Sequence, residues 1–223
     1  ADYTDVQIPG SVACQVGGVT TFCGVVSNAG KATFKGLELE ANARFPGGFG
    51  LSGALGYIDA QYDEYVTNID NTPTDVAEFR VVQNTPELTG SITASYDTPV
   101  GDGDLYLATT LSYRSKTSQF EIPNPFLDQK GFALLDASVV YTAPGKRWSV
   151  GLYGKNLLDK EYKTSGYNFL TARPDTGELV LSIDPASPNF NVPGIAAALG
   201  PDGTLTAFYG NPRQVFASVT FTY

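Results

Sequence analysis

Residues 209–223 read YGNPRQVFASVTFTY. Val215, Ala217, Val219, Phe221 and Tyr223 share one parity. Gln214, Phe216, Ser218, Thr220 and Thr222 share the other, which is polar apart from Phe216. Strict alternation marks a strand with one apolar and one polar face. In a soluble domain such a strand packs on a core and the chain runs on into a polar end. Here the chain stops on the apolar side, and the remaining sequence has to say what that face meets.

The same period recurs upstream. Leu37, Leu39, Ala41, Ala43 and Phe45 oppose Glu38, Glu40, Asn42 and Arg44. Phe49, Leu51, Leu55 and Tyr57 share a parity, as do Leu88, Ile92, Ala94 and Tyr96. So do Leu105, Leu107, Leu111 and Tyr113, then Ala133, Leu135, Ala137, Val139 and Tyr141, then Trp148, Val150 and Leu152. With DYTDVQI as a shortened first strand, this makes about eight strands. Their joints alternate in length. FPGG, DTPVGDG and TAPGKR are tight and rich in Gly and Pro, whereas 9–31, 59–84, 115–130 and 159–212 are long. A barrel crossing an outer membrane follows that rule, with short turns on one side and long loops on the other. Phe45, Phe49, Tyr96, Tyr141, Trp148, Phe221 and Tyr223 fall on the apolar parity near short turns or the C-terminus; Tyr57 and Tyr113 fall higher. Two aromatic bands flanking an apolar belt are the girdles of a membrane barrel. The expected fold is all-β, a transmembrane antiparallel β-barrel, and the expected place is a bacterial outer membrane.

Composition fits. Of 223 residues, 17% are charged, below the globular norm of about 25%. Glycine (24), tyrosine (13) and phenylalanine (13) are plentiful, and histidine and methionine are absent. No apolar run approaches the ~18 residues of a membrane helix, but membrane strands need only about 9–11, half of them polar. The chain has no initiator Met, signal peptide or basic targeting segment, so it reads as processed or as part of something longer. A net charge of −9 without a basic stretch disfavours nucleic acid as a partner. Cys14 and Cys23 have no histidine near them for a zinc site. A disulfide is the preferred reading, with two buried free thiols as the alternative.

Several stretches resemble the late-barrel region of TonB-dependent outer-membrane receptors. They are NAGKATFKGLELEANARFPGGFGLSGALGYIDAQYDEY, SYRSK, LLDASVVYTAPGKRWSVGLYGKNLLDKEY and the closing YGNPRQVFASVTFTY; the start DYTDVQIPGS also fits. The resemblance implies that residues 1–223 are the C-terminal part, about eight strands, of a 22-stranded barrel. It further implies a plug domain outside this chain, TonB as a partner through a missing N-terminal part, and the remainder of the barrel. The parent protein would take up a siderophore, sugar or similar small-molecule nutrient. Outer-membrane lipid would meet the apolar face. The barrel assembly machinery would read Val219, Phe221 and Tyr223 as its signal.

Nothing points to catalysis or to a cofactor. Outer-membrane hydrolases use a histidine base, which this chain lacks. Glu38 and Glu40 share a face, but a large barrel's interior is full of such groups. The segment 58–80 carries Asp59, Asp63, Glu64, Asp70, Asp75 and Glu78 against Arg80; it matches no calcium-loop spacing and reads as a solvated acidic loop, and GDGD at 101–104 reads as a turn. No metal site is expected. The family implies ligand contacts in the outer loops and upper wall. Polar candidates are Arg80, Arg114, Lys116, Lys155 and Asn156; aromatic ones are Tyr62, Phe120, Tyr162, Tyr167 and Phe169. Two other readings stay open: a self-contained eight-stranded outer-membrane barrel with a structural or adhesive role, and a secreted β-sandwich that binds carbohydrate.

Overall fold

The computed structural model describes residues 1–17, 19–28, 30–69, 72–169, 171–172, 179–180 and 204–222. Eight strands succeed one another in a single antiparallel sheet whose spatial order is the chain order. They are β1 (Asp2–Thr4), β2 (Gly30–Arg44), β3 (Phe49–Ile69), β4 (Leu88–Val100), β5 (Gly103–Arg114), β6 (Phe132–Thr142), β7 (Trp148–Lys155) and β8 (Gln214–Phe221). A short strand, Thr72–Asp75, folds back on the end of β3. No helix among the described residues is long and apolar enough to cross a membrane; the sheet carries the architecture.

The register keeps one parity apolar across the sheet. Leu39 lies opposite Leu55, and Leu37 opposite Tyr57. Phe49 pairs with Tyr96, and Tyr96 with Leu107. Leu107 then pairs with Val139, Val139 with Leu152, and Leu152 with Ala217. A slip of one residue in any ladder would send a whole strand's apolar set to the other face; none occurs between β2 and β8 below Ala32, and the one irregularity lies between Lys31 and Ala32. The apolar face is open: Leu37 is 71% exposed, Leu39 62% and Phe221 64%. A sandwich would cover these residues with a second sheet. The sandwich reading is therefore set aside. Lower aromatic-band contacts hold Phe45 to Phe49 and Tyr141 to Trp148, both at 5.7 Å between ring centroids. The opposite face carries hydroxyls and small residues, with Thr93 and Thr110 hydrogen-bonded at 2.8 Å.

Because consecutive strands are neighbours, all short joints lie at one end and all long joints at the other, as expected. Val100 and Gly103 close a two-residue turn with Gly101 at φ 61°, the positive φ that the first position of a type II′ hairpin demands. Two expectations need correcting. Residues 59–69 are not loop but a continuation of β3, which runs for 21 residues. At about 3.3 Å per residue that is roughly 70 Å, more than twice the hydrocarbon thickness of a bilayer. The apolar parity changes there, since Ile58, Ala60 and Tyr62 lie on the opposite face to Leu55 and Tyr57, and Gly30–Lys35 of β2 supplies the partner edge. Residues 9–28 are likewise not irregular, since Gln7–Val16 pairs with Val19–Asn28 as a hairpin. Its backbone places Cys14 opposite Thr21 and Cys23 opposite Val12; the two cysteine side chains lie outside the described residues, as do Asp70 and Tyr223.

Among the described residues β1 and β8 do not pair, so the eight strands form an open sheet. The even strand count therefore does not close a self-contained barrel here. Among the described residues, the buried aliphatic and aromatic side chains of the core lie away from the sheet's centre: Val76 and Leu127 belong to long joints, Ala32 and Phe132 to the strand ends beside them, and Ala143 to a short turn.

The turn after β2 offers a test of this packing. Gly47 (φ 84°) and Gly48 (φ 86°) both hold left-handed backbone, but a Cβ on Gly47 would meet nothing within 4 Å. A Cβ on Gly48 would sit on the carbonyl oxygen of Asp97, whose N–H donates to the Gly48 carbonyl at 2.9 Å. Gly47→Ala is expected to cost about 1–2 kcal/mol for backbone strain alone. Gly48→Ala adds a backbone collision of roughly 1–3 kcal/mol. Denaturant midpoints of the purified protein should rank the two in that order, and equal midpoints would refute this register at the turn.

Candidate functional site

Three of the long joints, through segments 76–87, 115–131 and 157–167, are packed together in their described parts. Segment 76–87 hydrogen-bonds to segment 115–131 through Val81 N–H to the Glu121 carbonyl and Asn84 N–H to the Ser118 carbonyl, both 2.9 Å. Segment 115–131 is cross-braced by reciprocal 2.9 Å bonds between Thr117 and Gln129. It turns at Asn124, whose carbonyl accepts from Leu127 and Asp128 and whose Oδ1 accepts from the Phe126 N–H. Asn124 and Leu127 are both fully buried. Asn124 Nδ2 and Gln119 Oε1 are buried without a hydrogen-bond partner, an arrangement that costs about 1–3 kcal/mol per group.

Charge is concentrated where β3 stands clear of the sheet's aromatic bands, eight residues beyond Tyr57. Arg80 is buried and lies 5.6 Å over the Tyr65 ring, which meets Tyr62 edge-on at 5.2 Å. Burial, reinforced by the nearby Glu121 carboxylate, pushes the Tyr65 hydroxyl up to about 12. Burial also raises the Glu121 carboxyl, against the opposing pull of Arg80. Asp75 goes the other way, because the N–H groups of Tyr65 and Ala77 donate to its carboxylate. Arg80 thus helps to build the cluster.

The GKNLLDKEY stretch is a clamp at the base of the last long joint. Asn156 is buried with φ 47°, left-handed backbone that Asn tolerates. Its Nδ2 donates to the carbonyls of Lys160 (2.9 Å) and Asn211 (3.0 Å), and its Oδ1 accepts from the Lys160 N–H (2.8 Å). Asp136 accepts from the Asn156 N–H at 2.9 Å and pairs with Lys155 at 2.7 Å. Asp159 Oδ1 accepts from the Arg213 N–H at 2.9 Å. The clamp therefore ties the end of β7 to the start of β8 across more than fifty residues of chain. Tyr162 belongs to the same packing. It stacks on Phe132 at 4.6 Å, and a Cβ on Gly210 would strike its ring.

The candidate contacts thus separate. Arg80, Asn156 and Tyr162 are built into the cluster and the clamp. Lys116 pairs with Asp128 at 3.2 Å and Lys155 with Asp136. Arg114 sits exposed at the upper end of β5, on the polar parity opposite Phe132, with no ion pair among the described residues. Tyr62 and Phe120 are half-buried; Tyr167 is exposed and edge-on to Phe208 at 6.0 Å. The Phe169 side chain lies outside the described residues. Sequence reading missed Glu121, Asp136, Asp159, Arg213 and Lys163, because each acts through a partner 19 or more residues away in the chain or across a joint that carries no period. Of these only Asp159, three residues after Asn156 in the same turn, carried a local signal that could have found it.

If Asn156 is a clamp, its loss removes three part-buried hydrogen bonds to backbone groups of Lys160 and Asn211. Asn156→Ala should lower stability by roughly 2–4 kcal/mol. Lys155→Ala breaks only a half-exposed ion pair and should cost under about 1 kcal/mol. Denaturant titration of the two variants checks the contrast; similar losses would assign Asn156 no clamping role.

Comparison with known proteins bears on the whole arrangement. Over 86% of its length the chain superposes on the siderophore receptor PiuA from Acinetobacter baumannii (TM-score 0.52, 16% identity, 23% of that chain). Over 87% it superposes on the ferric yersiniabactin uptake receptor FyuA from Yersinia pestis (TM-score 0.57, 21% identity, 24% of that chain). The chain spans about a quarter of the length of these structures. At these identities they share its fold. The model of the TonB-dependent receptor-like β-barrel family matches residues 1–157. With that match over most of its length, on a sheet of this register and joint pattern, the chain belongs to the TonB-dependent receptor β-barrel family.

Proposed function

We propose that the protein is an outer-membrane receptor that takes up a ferric siderophore or a comparable small nutrient in a TonB-coupled way. In this reading the present chain supplies the C-terminal strands of the barrel. A plug domain, TonB and the remainder of the barrel are its partners. Lipid meets the face that carries Leu39, Leu107 and Val139, and the barrel assembly machinery reads Val219, Phe221 and Tyr223. The observation that carries the proposal is the combination of family membership with a sheet whose long joints all cluster at one end, above a polar wall. Ligand capture at that end and passage along the polar face need no reacting group.

Arg114 is the residue of this wall best placed to meet an anionic ligand. Its guanidinium is exposed on the polar parity beside the stacked Phe132 and Tyr162. Loss of a charge-assisted contact is worth about 1.5–3 kcal/mol, or roughly 10–100-fold in affinity. Cells that depend on the full-length protein should therefore grow on a ferric siderophore only when TonB is present. Arg114→Ala should weaken uptake about tenfold or more without lowering the amount of protein in the outer membrane. Growth that is indifferent to TonB would refute the transport reading; normal uptake by the Arg114 variant would remove only the residue assignment.

The membrane assignment has its own test. Arg at Leu107 would place a charge on the apolar face and should cost roughly 2–4 kcal/mol in lipid. Arg at Thr110, three residues away on the polar parity, should cost far less. Equal losses in unfolding from bilayers would contradict the assignment of faces.

A further inference from the structure

We infer that the described outer segments 76–87, 115–131 and 157–167 open and close as one body, with 115–131 as the strut that couples the other two. The bonds of Val81 and Asn84 fix 76–87 to the strut. On its other side Lys163 works as a three-point latch. Its N–H donates to Gln129 Oε1 at 2.7 Å, and its ammonium donates to the carbonyls of Phe126 (2.9 Å) and Asp128 (3.2 Å). Leu127 lies against the Gly166 backbone so closely that a Cβ there would overlap it. The strut itself is held from within: Thr117, Gln119, Asn124, Leu127 and Gln129 are all buried.

Such packing is unusual for surface joints, which are normally mobile and separately so. Here Leu127, a buried apolar side chain of the strut, sits against the Gly166 backbone, so freeing one segment uncovers groups that belong to the next. The bonds described above reach 76–87 from Lys163 only by way of 115–131. The entrance above the polar face is therefore pre-formed in this region, and entry does not wait for each loop to fold over the ligand in turn. This inference does not depend on which ligand is carried or on whether transport is coupled to TonB.

The test is amide hydrogen exchange on the full-length protein in detergent or nanodiscs, comparing Lys163→Gln and Leu127→Ala with the unaltered chain. Each substitution is expected to speed exchange in all three segments together, by about tenfold or more for the lost charge-assisted bonds at Lys163, while the β5–β6 ladder stays unchanged. The decisive reporters are Val81 and Asn84, which Lys163 does not touch. Faster exchange in 115–131 with 76–87 unchanged would show that the segments open separately and would overturn the inference. So would unchanged exchange in all three segments for both variants.

Discussion

The constraint on which everything else rests is register. A β-strand presents alternate residues to opposite faces, so a sheet with one apolar side survives only if every neighbour is paired in phase. The ladders from β2 to β8 meet this condition strand after strand, through Leu39 with Leu55, Tyr96 with Leu107, Val139 with Leu152 and Trp148 with Phe221. Tight turns enforce it. Gly48 brings its backbone against Asp97 where a side chain would not fit, and Gly101 supplies the positive φ that a two-residue hairpin turn favours. The irregularity between Lys31 and Ala32 lies high on β2, above the apolar belt, where a change of phase no longer moves a side chain between two solvents.

The joints obey a different physics. The sheet has no interior of its own in this chain, because one face is apolar and open and the other is lined by hydroxyls. Burial of the conventional kind is found chiefly where the joints meet. Among the described residues it includes many polar groups: Thr117, Gln119, Asn124, Gln129, Arg80 and Asn156 are buried beside Val76, Leu127, Ala32 and Phe132. Polar burial is directional, so the joints are specified by particular hydrogen bonds and depend little on apolar volume.

This difference explains what could be read from sequence. The strands, their order, the side on which the short turns lie and the apolar face were all legible, because period-2 alternation is a local signal repeated seven times. The boundary of β3 was not. Its outer half carries Asp59, Asp63 and Glu64, charges that in sequence alone resemble a loop, although Thr33 and Lys31 of β2 answer Asp63 and Glu64 directly, at 2.6 and 3.0 Å. At the candidate site the clamp residues were visible as a motif but their work was not. Asn156 meets Asn211 across a stretch of chain that no window of sequence spans. Arg114 was legible as polar and outward-lying, whereas the burial of Arg80 depends on a segment that is remote in sequence.

The clamp at Asn156, Asp159 and Arg213 has an evolutionary consequence. It fastens the two ends of one long joint to each other beside the sheet, so the sheet experiences a short, closed connection whatever lies between them. Doubling the length of a flexible insert adds only about 0.6 kcal/mol of closure entropy, and none of that reaches the ladder between β7 and β8. The intervening chain is in effect a cassette. Outside the contacts of Lys163 and Gly166 with the strut, it can change length while the ladder between β7 and β8 stays paired.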